Sequence, residues 1–142
     1  MRRALLAVVL TGLLGLERQR AGKAAGLRTH MLVGIAASVF VSMAEVMVLH
    51  YSVYGTAVRL DPIAALSAIA SGISFLGAGS IIVARSEERV RGLTTAASIL
   101  VTAAIGVACG LDRTVAAAGL TVLVLLVMTA VRALEPNKQD RP

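Results

Sequence analysis

Four carboxylates stand inside or at the edges of long apolar runs: Glu17, Glu45, Asp61 and Asp112. Carboxylate oxygens are the ligands that a hard divalent cation such as Mg²⁺ takes, with water completing its shell. An acid within a membrane-length apolar segment is costly, which makes Glu17 and Glu45 functional candidates and leaves Glu45 and Asp61 as the candidate metal ligands. Each also has a plain structural use. Glu45 can snorkel to water, Asp61 followed by Pro62 can cap a helix, and Glu17 can pair with a neighbouring cation. His30 and His50 fall at opposite ends of one run, about 30 Å apart if it is helical. They cannot share a metal within one chain, so a His/Cys zinc set is not expected. The single cysteine, Cys109, excludes an intrachain disulfide and has no evident base beside it. The glycines Gly72, Gly77 and Gly79 make no phosphate loop, because no Lys-Ser/Thr follows them. The chain is read as a non-enzyme without a cofactor, Mg²⁺ being the one candidate ion.

The elements that must hold these residues are helices. Hydrophobic residues are 57% of 142 and mean hydropathy is +0.83. Ile63–Ala84, Gly92–Leu111 and Thr114–Val131 carry no charge, and Thr29–Val58 carries only Glu45. Each is long enough for a helix to cross the hydrocarbon core, which takes about 20 residues. Ala4–Leu16 is shorter. Glu17-Arg18-Gln19-Arg20 follows it where a signal peptide would have a small, neutral cleavage site, so it reads as a first span. The expected fold is all-α and polytopic, with five transmembrane helices over residues 1–132 and a short polar tail over 133–142.

Net charge is +6, but its placement indicates topology. One set of loop and tail segments holds Arg18, Arg20, Lys23, Arg28, Arg85, Arg89, Arg91, Arg132, Lys138 and Arg141; the other holds Arg2, Arg3, Arg59 and Arg113. Cationic loops stay in the cytoplasm, so the N-terminus is expected outside and the C-terminus inside. With aromatics at 3% there is no stacking platform for nucleic acid. Asp61-Pro62 is expected to start the third helix and Asp112 the fifth.

Small residues recur every fourth position on two helices. The third has Ala64, Ala68 and Gly72, and Ala70, Ser74 and Ala78; the fourth has Ser98, Thr102, Gly106 and Gly110. Such faces permit close helix approach within a bundle or homo-oligomer. A sharper alternative is a helix broken near Gly77–Gly79 whose carbonyls face an ion, as in transporters. "GLRT" (Gly26–Thr29) and "GLTT" (Gly92–Thr95) each open a helix after a basic segment, which suggests two similar hairpins.

Four blocks then occur in order: "GLERQ" (Gly15–Gln19), "KAAGLRTHMLVG" (Lys23–Gly34), "SGISFLGAGSI" (Ser71–Ile81) and "VRGLTTAAS" (Val90–Ser98). Together, over roughly residues 5–130, they resemble the signature of the MgtC/SapB family of bacterial inner-membrane proteins. The resemblance implies five membrane helices with a cytoplasmic C-terminus. It also implies a role in growth at low Mg²⁺ and, in pathogens, in survival inside host cells. It implies action on other membrane proteins, the ATP synthase among them, rather than carriage of Mg²⁺. The family-motif positions are Glu17, Arg18, Lys23, Gly26, Arg28, Thr29 and His30 in the first two blocks and Asp61 outside. On the third and fourth helices they are Gly72, Phe75, Gly77 and Gly79, and Arg91, Gly92, Thr94 and Thr95.

The sequence also departs from the family. "DPIAALSAIASG" (Asp61–Gly72) lacks the Arg and Gln that usually follow the outer Asp. Ser74 stands where glycine is favoured and Leu100 where tryptophan is frequent. Many members carry a cytoplasmic C-terminal domain; this sequence ends at Pro142 without one, so regulation through it is not expected. The leading expectation is a multi-pass inner-membrane protein that works through the bilayer and protein partners, or a second copy of itself. The alternatives are a small oligomeric channel or transporter for Mg²⁺ or another ion, and a structural subunit with no magnesium link.

Overall fold

The computed structural model of the chain describes residues 1–52, 61–83 and 92–134. These form five α-helices: α1 (Arg2–Arg20), α2 (Leu27–Ser52), α3 (Pro62–Val83), α4 (Leu93–Gly110) and α5 (Thr114–Leu134). Among the described residues there is no strand. Four helices, α2 to α5, are long and apolar enough to cross a membrane. α1 falls short on composition, because Arg2, Arg3, Glu17, Arg18 and Arg20 leave only Ala4–Leu16 uncharged.

Local chemistry sets the helix ends. Asp61 Oδ1 accepts the Ile63 N–H at 2.8 Å, the expected cap on the first turn of α3. Gly92, before α4, has φ +90°, and a Cβ there would lie 2.6 Å from Ser80 O, so both conformation and space require glycine. Asp112 does not start α5 as expected. It has φ 58° and its N–H donates to Cys109 O at 3.0 Å, which ends α4 in a left-handed residue. Its carboxylate accepts from Arg2 at 2.9 and 3.1 Å, and the first turn of α5 closes on Arg113 O instead.

α4 is the central helix: among the described residues it alone touches all the others. Its small-residue face is buried, as the spacing predicts: Ser98, Thr102, Gly106 and Gly110 are all inaccessible. A Cβ on Gly106 would come within 2.5 Å of Gly34 O on α2, and one on Gly110 would meet Ser38 and Val41. Residue numbers rise together along this seam, so α2 and α4 run parallel, while α1 runs antiparallel to both. Packing through backbone contact replaces the hydrophobic drive that lipid does not supply.

α3 differs from the transporter-like expectation. It is one continuous helix through Gly77 and Gly79, so no broken segment exposes carbonyls there. The Ser80 hydroxyl donates to Gly77 O at 2.8 Å, which adds a local bond to this glycine-rich turn. Gly77 rests on Ala96 of α4, whereas Gly72 and Gly79 have open space beside them among the described residues. Most of α3 is exposed, including Phe75 at 79%. α5 is buried near its start, at Ala117 and Thr121, and becomes exposed along Leu123, Leu126, Val127 and Val131.

Candidate functional site

The first two signature blocks fold into the turn between α1 and α2. The chain reverses here because Gly22 takes φ +64° and the Lys23 N–H donates to Arg18 O at 3.0 Å. Gly15 brings the helices together: a Cβ on it would lie 2.8 Å from Leu27 Cα and 2.9 Å from His30 Cβ. The Gln19 side chain accepts the Leu27 N–H at 3.3 Å, so the end of α1 caps the start of α2. The α3–α4 hairpin has a similar contact, Gly77 lying against Ala96 in the first turns of α4.

His30 is fully buried. Its Nδ1 donates to Gly26 O at 2.8 Å, which leaves Nε2 to face the Ser98 hydroxyl of α4 at 3.3 Å. That hydroxyl also lies 2.8 Å from Thr95 O. His30 therefore joins the α1–α2 turn to the start of α4, linking the second signature block to the fourth.

Arg18 was expected among the loop cations. It is instead only 3% exposed, because the last turn of α1 presents it to α4 and α5. Its Nε donates to Glu17 Oε2, the neighbouring cation that the sequence anticipated for this acid. Glu17 Oε1 is buried without a hydrogen-bond partner among the described residues. Beside Arg18, a cavity of about 460 Å³ opens between α1, α4 and α5.

Other candidates are dispersed. Lys23 and Arg28 are exposed, Thr29 is half-buried, Thr95 is buried and Thr94 is exposed at the edge of that cavity. Gly72, Phe75 and Gly79 are on the exposed surface of α3. Arg91 lies outside the described residues, as do Arg59, Arg85, Arg89 and the tail beyond Leu134. Glu45 sits at the opposite end, where Arg3 donates to its Oε2 at 2.5 Å and to Gly110 O at 2.8 Å. With Asp61 capping α3, neither proposed metal ligand joins a set of three His, Cys, Asp or Glu side chains among the described residues.

Sequence reasoning missed two things. Ser98 ends the fourth block, yet its role as the partner of His30 depends on contact across 68 positions. The Arg3–Glu45 link joins residues 42 positions apart; opposite charges at the same end of two adjacent helices were its only signal.

The MgtC family is matched over residues 4–137. Protein MgtC of Brucella abortus (strain 2308) is 40% identical over 130 residues, covering 90% of this chain and 49% of that protein. Protein MgtC of Salmonella typhimurium is 40% identical over 121 residues, covering 85% and 47%. YhiD of Escherichia coli (strain K12), whose name marks it as a candidate magnesium transporter, is 42% identical over 113 residues, covering 76% and 49%. The chain spans about half the length of the curated relatives it matches. No solved structure matches it.

Proposed function

The chain belongs to the MgtC family of membrane proteins, and from that membership we propose a bacterial inner-membrane protein that supports growth when Mg²⁺ is scarce by contacting other membrane proteins. It catalyses no reaction. It crosses the bilayer five times, with the N-terminus outside and the C-terminus in the cytoplasm. The pairing of α1 with α2 supports the fifth span. Gly15 lies against Leu27 at one end and Arg3 against Glu45 at the other, about 27 Å along α2. The matching stretch of α1, Arg3 to Gly15, rises about 18 Å, and the Arg3 side chain reaches the rest of the way to Glu45.

The observation that carries the partner reading is the exposed glycine face of α3. Each glycine in a helix interior is less favourable than alanine by about 1 kcal/mol, and close helix approach is what offsets this in a membrane. Of the three glycines in α3, Gly77 alone gains such a contact among the described residues. Gly72 and Gly79 remain open beside exposed Phe75, so the face suits another transmembrane helix. The described carboxylates support the same reading. Glu17, Glu45 and Asp112 are paired with arginines and Asp61 caps a helix, so each already has a structural role.

Growth complementation at low Mg²⁺ tests the proposal. Gly72→Leu, Phe75→Ala and Arg28→Ala should insert and accumulate as wild type does while failing to restore growth. Normal growth with all three overturns the partner reading. In proteoliposomes, Mg²⁺ flux abolished by Glu45→Gln or Asp61→Asn would replace it with a transporter.

A further inference from the structure

We propose that the cavity between α1, α4 and α5 is a binding site for one anionic phospholipid, its phosphate held by Lys23, Arg132 and Arg18 and an acyl chain lying along α5. The proposal uses the membrane placement given above but does not depend on the magnesium link.

The site has two chemically distinct parts. At one end are the three cations, and the remaining lining is mostly apolar, with Ala97 and Val101 on one wall and Leu123, Val127 and Met128 on the other. Its volume of about 460 Å³ lies in the range of about 300–1,000 Å³ usual for small-molecule sites. Burial along α5 explains the opening. Ala117 and Thr121 seat the start of the helix in the bundle, whereas Leu123, Val127 and Val131 are about half exposed. From Arg132 to Leu123 the helix rises about 13 Å, close to the depth of one leaflet, about 15 Å. A phosphate at the cationic end therefore leaves room for a chain reaching toward the bilayer midplane.

Charge complementarity selects an anionic lipid. Lys23 and Arg132 are exposed at the mouth, and among the described residues neither has a carboxylate partner. Arg18 is held in place by Glu17 through Nε, which fixes the direction of its guanidinium. Arginine suits phosphate because its planar donors match the oxygens, and each cation near a membrane surface favours anionic lipid. The apolar walls distinguish a lipid from a soluble phosphate, which would leave them uncovered.

The test is lipid retention by the full chain, purified in a neutral detergent and offered equal phosphatidylglycerol and phosphatidylcholine, read by native mass spectrometry. Wild type should retain one phosphatidylglycerol in preference to phosphatidylcholine. Lys23→Ala with Arg132→Ala should lower that preference about tenfold or more. Ala97→Phe, which fills the groove and leaves the cations in place, should reduce retention of the lipid itself. Arg113→Ala, at the opposite end, should change nothing. Both cationic positions are exposed, so thermal melting of the double variant should match wild type. Equal phosphatidylglycerol preference in wild type and the double variant overturns the proposal. So does unchanged retention by folded Ala97→Phe, or displacement by glycerol phosphate or inorganic phosphate, which would indicate a soluble-anion site. None of these readouts depends on growth at low Mg²⁺, so the two proposals can fail separately.

Discussion

The imidazole of His30 meets the hydroxyl of Ser98 at 3.3 Å, across a seam where α2 and α4 run in the same direction. Replacing His30 with alanine leaves Gly26 O and the Ser98 hydroxyl without this partner inside the bundle. Gly26 O still accepts the backbone N–H of residue 30 and the Ser98 hydroxyl still donates to Thr95 O, so the main cost is the cavity left by the lost ring. His30→Ala should therefore lower the melting temperature of purified protein markedly, whereas Arg28→Ala two positions earlier, on an exposed side chain, should leave it unchanged. Equal melting of the two would remove His30 from the packing role.

Glu17 and Arg18 form an ion pair whose side chains are 13% and 4% exposed. Breaking one side of such a pair leaves the other charge uncompensated, typically at a loss of about 3–5 kcal/mol. Glu17→Ala should reduce the yield of folded protein and be partly rescued by Arg18→Leu in the same chain. A double variant less stable than Glu17→Ala would show that Arg18 is held by more than this acid.

Glycine positions should divide by environment. Gly106→Leu forces side-chain atoms into the Gly34 backbone, and overpacking of this kind costs about 1–3 kcal/mol or more. Gly79→Ala meets open space and should raise helix stability by up to about 1 kcal/mol. Thermal melting in detergent separates them: Gly106→Leu falls and Gly79→Ala holds or rises. A drop for Gly79→Ala in monomeric protein would contradict the open face on α3.

Arg3 and Glu45 are each more than a third exposed, so solvent screens their attraction and the pair contributes little to stability. Glu45→Gln should shift melting by no more than a few degrees and leave growth at low Mg²⁺ intact. Bound ⁴⁵Ca²⁺ or Mn²⁺ that disappears in Glu45→Gln would instead make this acid a ligand.

Much of the architecture was legible in the sequence because apolar runs of membrane length have few alternative folds. The same holds for the buried face of α4, since small residues at four-residue spacing fall on one side of a helix. Asp61-Pro62 also announced the start of α3. Asp112 misled because an Asp before a helix and an Asp closing the previous one look alike when the two are separated by a tight turn. The burial of Arg18 was hidden for a different reason: local charge density could not show that the final turn of α1 rotates one of its cations inward. At the candidate site, motif spacing identified His30 and the first turn of α4 separately, but only three-dimensional packing joins them through Ser98.

The position of α4 at the centre sets an order of assembly during translation. The α1–α2 hairpin can pair as soon as both segments are made, because Gly15, Gly34 and Thr11 provide its contacts without help from later sequence. α3 emerges next and meets only a limited surface of α2, since its more extensive packing is with a helix still to be made. Until α4 arrives, the nascent chain is a hairpin with a glycine-rich helix loosely tethered beside it. Completion of the fourth segment is thus the step that commits the protein to its fold, and a ribosome stalled before Leu93 would expose that incomplete bundle to membrane proteases.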